Sequence, residues 1–223
     1  MDRVPFAAAM ATTTATSRSA RRRLLAALAS GAALALLPAC QRQAAADGAV
    51  AGRFRGLDIT GATYGRRFDL TDQHGQRRTL ADFKGRVVML YFGFAQCPDV
   101  CPTALARAAQ VKRQLGEQGS RLQVLFVTVD PERDTPAMLR EYMAAFDPDF
   151  LALTGTPDEI RAAADEFRAF YKKVPTGSSY TMDHSALSYL FDPQGRIRVA
   201  LRHAQSADDY LADVRTLLAE PAA

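Results

Sequence analysis

The stretch from Arg86 to Phe94 reads RVVMLYFGF and runs straight into Ala95-Gln96-Cys97-Pro98-Asp99-Val100-Cys101-Pro102. A nearly continuous apolar and aromatic run bounded by Gly85 and by Cys97-Pro98 is expected of a strand covered on both faces. A central strand that delivers two cysteines into a loop constrains the rest of the chain strongly. The partners of that strand, and the helices that cover it, must come from the segments that follow.

Those segments have the right character. Pro102 to Leu115 places Leu105, Ala108, Val111 and Leu115 three to four residues apart, which fits one face of a helix beginning with proline. Leu122 to Val129 is a second buried strand. Thr135-Pro136 opens an amphipathic helix through Phe146, a short apolar segment runs from Phe150 to Leu153, and Pro157 opens a helix to about Tyr171, with Phe167, Phe170 and Tyr171 on a core stripe. Ser185 to Phe191 and Arg196 to Leu201 flank Asp192-Pro193-Gln194-Gly195, a turn sequence, and read as a hairpin. Ser206 to Leu218 is a closing amphipathic helix. Upstream, Phe68-Asp69-Leu70 and Arg78-Thr79-Leu80 surround Asp72-Gln73-His74-Gly75-Gln76, a short first hairpin. Alternation alone narrows this to α/β. The full set of parts is that of a thioredoxin-like sandwich, a central mixed β-sheet flanked by helices, with an N-terminal hairpin extension.

The 223 residues carry a formal charge of +4, which raises the question of nucleic acid. Residues 1–39 hold Arg3, Arg18, Arg21, Arg22 and Arg23 against Asp2 alone, so 23 basic and 23 acidic residues remain beyond them. The body of the protein is formally neutral, and a nucleic-acid partner is not expected. The arginines precede an apolar stretch from Leu24 to Leu37, short of the ~20 residues of a transmembrane helix, and then Pro38-Ala39-Cys40. This is the layout of a secretory signal. Leu37-Pro38-Ala39-Cys40 resembles the bacterial lipobox, apart from Pro38, which implies lipidation of Cys40 on the periplasmic side of a membrane; simple cleavage and a retained anchor are the alternatives. The expected organisation is a signal peptide over 1–39, a flexible Ala- and Gly-rich tether over 40–60, and one thioredoxin-like domain over 61–220.

Of three cysteines, an acylated Cys40 leaves Cys97 and Cys101 as a matched pair. Their position between a strand end and a helix start favours thiolate, because helix-terminal amides and the helix dipole stabilise negative charge. Pro102 disfavours helical geometry at Cys101 and places it at the helix cap. Two thiolates four residues apart in one loop suit a soft ion such as Cu(I), and also suit a reversible disulfide. A permanent stabilising bridge gains more from closing a long loop than this short one. The third candidate is His184 in Tyr180-Thr181-Met182-Asp183-His184-Ser185. In a thioredoxin-like sandwich the loop before the last hairpin lies beside the cysteine loop, where an imidazole completes a Cys2His site. Asp183 either orients that ring or caps a strand. His74 and His203 lack neighbouring ligands in sequence and are expected at the surface.

Phe92-Gly93-Phe94 with Cys97-Pro98-Asp99-Val100-Cys101-Pro102, then Val129-Asp130-Pro131-Glu132-Arg133-Asp134-Thr135, then Asp183-His184, resembles the Sco/SenC family, in order from about residue 60 to 205. Gln96 departs from the family, which commonly has histidine before the first cysteine. The resemblance implies that Cys97, Cys101 and His184 bind one copper ion, and that the copper is delivered to the dinuclear centre of cytochrome c oxidase. It implies the oxidase's copper-bearing subunit as partner, with other copper chaperones as further candidates. Asp130, Arg133 and Asp134 are expected to be structural, ending a strand before the helix that Thr135-Pro136 starts.

Two further readings use the same fold. A thiol-disulfide oxidoreductase would use Cys97 and Cys101 as a redox-active pair to keep the oxidase subunit's cysteines reduced, without needing His184. A peroxidase would need an exposed cysteine in its own polar constellation, and the close cysteine pair argues against it.

Overall fold

The computed structural model describes residues 52–220. The signal segment, Cys40 and most of the expected tether lie outside the described residues. Ten strands form: β1 (Leu57–Asp58), β2 (Asp69–Asp72), β3 (Arg77–Thr79), β4 (Val87–Gly93), β5 (Leu122–Thr128), β6 (Leu151–Thr154), β7 (Tyr171–Thr176), β8 (Ser179–His184), β9 (Leu187–Phe191) and β10 (Ile197–Arg202). Four α-helices accompany them among the described residues: α1 (Val100–Gln114), α2 (Pro136–Ala144), α3 (Pro157–Phe167) and α4 (Ala207–Leu218). Eight strands make one mixed sheet in the order β1-β10-β9-β4-β5-β6-β2-β3, and β7 with β8 makes a separate two-stranded sheet.

The apolar run at 86–94 is the centre of that sheet. Every residue of β4 and of its parallel neighbour β5 is buried, in register from Val87 opposite Leu122 to Gly93 opposite Thr128. On its other side β4 pairs antiparallel with β9, which makes the sheet mixed as expected. Against it α1 buries Cys101, Ala104, Leu105, Ala108, Ala109 and Val111. The helix starts are chemically marked. Thr156 with Glu159 and Ser206 with Asp209 form capping boxes, and the Thr135 hydroxyl accepts from the Met138 amide, each cap contributing about 1 kcal/mol.

The two turns legible in sequence share one device. Asp72 Oδ1 accepts from the amides of His74 and Gln76, and Asp192 Oδ1 accepts from those of Gln194 and Arg196. Gly75 and Gly195 close these turns at φ of 82° and 81°, a conformation that only glycine adopts without steric cost.

Four expectations need correction. Helix α1 begins two residues before Pro102, so Cys101 lies inside its first turn; a proline there is tolerated because first-turn amides have no intrahelical acceptor. Helix α3 ends at Phe167, where Arg168 turns left-handed at φ 53°, and Tyr171 starts β7. Phe167 is core, packed on Phe92 and Tyr189, but Phe170 is 59% exposed. Finally, the expected tether joins the fold before residue 60. Phe54 is buried, β1 pairs with β10, and Asp213 accepts from the amides of Arg55 and Gly56.

Candidate metal centre

Strand β4 ends at Gly93, and the loop 94–99 carries the chain into α1. The Cys97 amide donates to the Phe94 carbonyl at 3.2 Å, and the Cys101 amide donates to Cys97 Sγ at 3.4 Å. The first turn of α1 therefore wraps around the Cys97 sulfur, as free amides at a helix start favour a thiolate. Both thiols are free and buried.

His184 is the last residue of β8. Its Nε2 lies 3.3 Å from Cys101 Sγ, and its Nδ1 lies 3.1 Å from the Ser185 carbonyl. A carbonyl only accepts, so Nδ1 donates to it, and Nε2 is the ring nitrogen that faces the sulfurs. The ring is held edge-on by Tyr91 and Phe94, at centroid distances of 6.0 and 5.8 Å. The ligand atoms of Cys97, Cys101 and His184 all lie within 4.8 Å of one another. Two sulfurs and one imidazole nitrogen are the donor chemistry that suits copper in either common oxidation state. A cleft of about 330 Å³ lined by Phe94, Cys97, Phe170, Met182 and His184 leads to them.

The two thiols are electrostatically unlike. A hydrogen bond from the Cys101 thiol holds Cys97 well below the usual thiol range; burial opposes this, while His184 and the amides of Asp99 and Cys101 reinforce it. Cys101 is pushed up by the same hydrogen bond to Cys97 and by burial. Cys97 is thus the thiolate and Cys101 the protonated partner. The buried Tyr91 hydroxyl has no hydrogen-bond partner among the described residues, and its pKa is raised by burial and by the neighbouring Cys101.

Gly93 is what lets these groups approach. A Cβ there would sit 2.7 Å from the Phe126 ring, 2.8 Å from Cys101 Sγ and 3.0 Å from the Tyr91 ring. A glycine inside an otherwise bulky strand signals such an approach, but its role was not drawn from the sequence. Nor was that of Ser185, whose carbonyl fixes the imidazole.

The three candidate ligands thus come together. Asp183 does not join them: it is exposed, opposite Lys172, and among the described residues the ring's Nδ1 partner is Ser185. Gln96 and His74 are exposed, and His203 is half-buried rather than on the surface. Asp130, Arg133 and Asp134 do more than end a strand. Asp134 Oδ2 accepts from the Ala95 amide at 2.9 Å, while Arg133 donates to Asp130 and to the Tyr180 carbonyl.

The SCO1/SenC family model matches residues 58–219. Among curated relatives, the mitochondrial SCO2 homolog of Bos taurus is 42% identical over 156 residues, 68% of this chain and 59% of that protein. A SCO2-like protein of Rickettsia felis is 38% identical over 132 residues, 58% of this chain and 64% of that protein. The matches to these relatives thus cover less than two thirds of their length. Among solved structures, Bradyrhizobium japonicum ScoI with copper bound superposes with a TM-score of 0.65 at 40% identity, covering 70% of this chain and 100% of that one.

Proposed function

The chain belongs to the SCO1/SenC family, and we propose that it takes up one copper ion through Cys97, Cys101 and His184 and hands it to an apo-oxidase subunit. One observation carries this reading: two thiols and an imidazole nitrogen, drawn from segments more than 80 residues apart, converge within 4.8 Å at the end of a cleft. Packing alone gives no reason to aim an imidazole nitrogen at two buried sulfurs. The copper-bound ScoI of Bradyrhizobium japonicum supports it.

Copper, when bound, is the cargo, and this chain's residues do the rest. The Cys97 thiolate meets the ion without first losing a proton, and Cys101 gives up its proton on binding. Ser185 keeps the imidazole aimed, with Phe94 and Tyr91 packed against it. The cleft leaves one side open for a recipient's ligands. The recipient is the copper-bearing subunit of cytochrome c oxidase, the partner implied by the family resemblance, with other copper chaperones as donors. Membrane attachment through Cys40 on the exported side would keep the domain beside that recipient. Among the described residues no helix is long and apolar enough to cross a membrane.

The unlike thiols favour a second reading. Cys97 thiolate attacks a partner's disulfide, and Cys101 then displaces the mixed disulfide, so one dithiol is oxidised for each partner disulfide reduced. Anaerobic copper titration of the reduced domain, residues 41–223, separates the two. One tightly held copper per chain, with a sulfur-to-Cu(II) charge-transfer band that collapses on His184→Ala, is the expected result. Weak binding that ignores His184, alongside rapid disulfide exchange, would replace delivery with reduction.

A further inference from the structure

The segment 128–134 contributes no ligand, yet it is hydrogen-bonded to both halves of the site. Toward the cysteines, the buried Asp134 accepts from the Ala95 amide at 2.9 Å and from the Thr128 hydroxyl at 2.6 Å. Ala95 is two residues before Cys97. Toward the histidine, Arg133 donates from Nη1 to the Tyr180 carbonyl at 2.8 Å and from Nε to Asp130 Oδ2 at 2.5 Å. Tyr180 Oη donates back to Asp130 Oδ1 at 2.9 Å, and the guanidinium lies 3.7 Å above the Tyr180 ring. Lys173 of β7 adds a second cation over that ring at 4.2 Å and pairs with Glu132 at 2.7 Å.

Among the described residues, strands β7 and β8 pair with each other and not with the main sheet. The hairpin that carries His184 therefore has no sheet hydrogen bonds to fix its distance from the cysteines. Besides the core contact of Met182 and the ring packing of His184, what anchors it is this cluster together with the link at its base, where Phe170 and Ser185 exchange hydrogen bonds. Asp130 has a side chain only 2% exposed and Arg133 one 19% exposed. Breaking one member of so buried a pair leaves an uncompensated charge, so the cluster holds one geometry.

We infer that Asp130, Arg133, Asp134 and Tyr180 are positioning residues that set the distance between His184 and the cysteine pair, and with it the preference of the site for Cu(II). This rests on the copper-binding reading. Cu(I) is satisfied by two sulfurs, whereas Cu(II) gains from the imidazole nitrogen. A loosened hairpin therefore costs Cu(II) more than Cu(I).

The test compares wild type with Arg133→Lys, which keeps the charge but loses the fork, and Tyr180→Phe, which keeps the ring and loses one hydrogen bond. Cu(II) and Cu(I) affinities are measured by anaerobic titration against chelators, and amide hydrogen exchange is measured on the metal-free protein. Both variants are expected to lose about tenfold in Cu(II) affinity, the scale seen for outer partners of metal ligands, with Cu(I) affinity changed less than about threefold. Exchange in β8 should rise about tenfold while β4 and β5 keep their protection. An unchanged ratio of Cu(II) to Cu(I) affinity, or exchange rising equally in β4 and β5, would overturn the inference. A wild type that binds no copper would sink the copper reading instead, while the exchange data would still decide whether the cluster holds β8.

Discussion

Cys101 Sγ lies 3.3 Å from Nε2 of His184, although 83 residues separate them in the chain. The two side chains meet because α1 buries Cys101 on its inner face while the Ser185 carbonyl turns the His184 ring toward it. His184→Ala should therefore lower Cu(II) affinity by more than the ~10–100-fold that loss of an outer partner costs. The fold should stay intact, since the ring is only half-buried. Visible absorption of the Cu(II) form reports the loss, and circular dichroism reports the fold. Undiminished Cu(II) affinity would remove His184 from the ligand set.

The asymmetry between the cysteines predicts a pH signature in the reduced, metal-free protein. Cys97 is held well below the thiol range, so it remains thiolate as pH falls through the region where an ordinary thiol, with a pKa near ~8.5, is already protonated. Cys101 is shifted the other way. Alkylation by iodoacetamide should modify Cys97 first, at a rate nearly constant from pH 8 down to about pH 6. Mass mapping of the labelled cysteine checks this. Equal labelling of both, with a rate falling about tenfold per pH unit below 8, would show two ordinary thiols.

A methyl group at Gly93 would collide with Cys101 Sγ, Tyr91 and Phe126 together. Gly93→Ala should cost about 1–3 kcal/mol, as overpacking in a tight core does, and should lower copper affinity because the sulfur has to move. Urea denaturation and copper titration measure the two effects separately. Loss of stability with full copper affinity would mean that Phe126, not Cys101, yields.

How much of this was visible in the sequence varies by element. Strand β4, the cysteine loop and α1 were legible because burial on both faces of a strand and on one face of a helix forces apolar periodicity. The turns at Asp72 and Asp192 were legible because their backbone demands aspartate and glycine at fixed places. The β7–β8 hairpin was not. Its strands read YKKVPT and SYTMDH, largely polar, interrupted by Pro175 and with Met182 alone fully buried, so no burial pattern marks them. They are held by mutual pairing, by the single core side chain of Met182, and by Tyr180, whose contacts with Arg133 and Asp130 span 47 and 50 residues. The roles of Asp130 and Arg133 were invisible for the same reason. Their motif was recognised, but its partners lie on a strand the sequence did not announce.

The first hairpin offers a test of electrostatics away from the metal centre. The Asp72 side chain is fully buried, accepting from two amides and from Arg78 Nε at 2.8 Å. Burial by itself would raise its pKa, but the hydrogen bonds from Gln76, Arg78 and His74 outweigh it, and the net shift is downward. A carboxylate lowered on folding adds stability that is fully present above its unfolded pKa of about 3.9 and fades as pH falls through the folded value. Asp72→Asn keeps the turn acceptor and removes the charge. It should cost about 1–2 kcal/mol at pH 7, and the gap from wild type should close progressively below about pH 4. Urea denaturation of both proteins at pH 7, 4 and 3 measures it. A gap that stays constant across that range would mean that Arg78 contributes by packing and that the Asp72 charge is not what holds the turn.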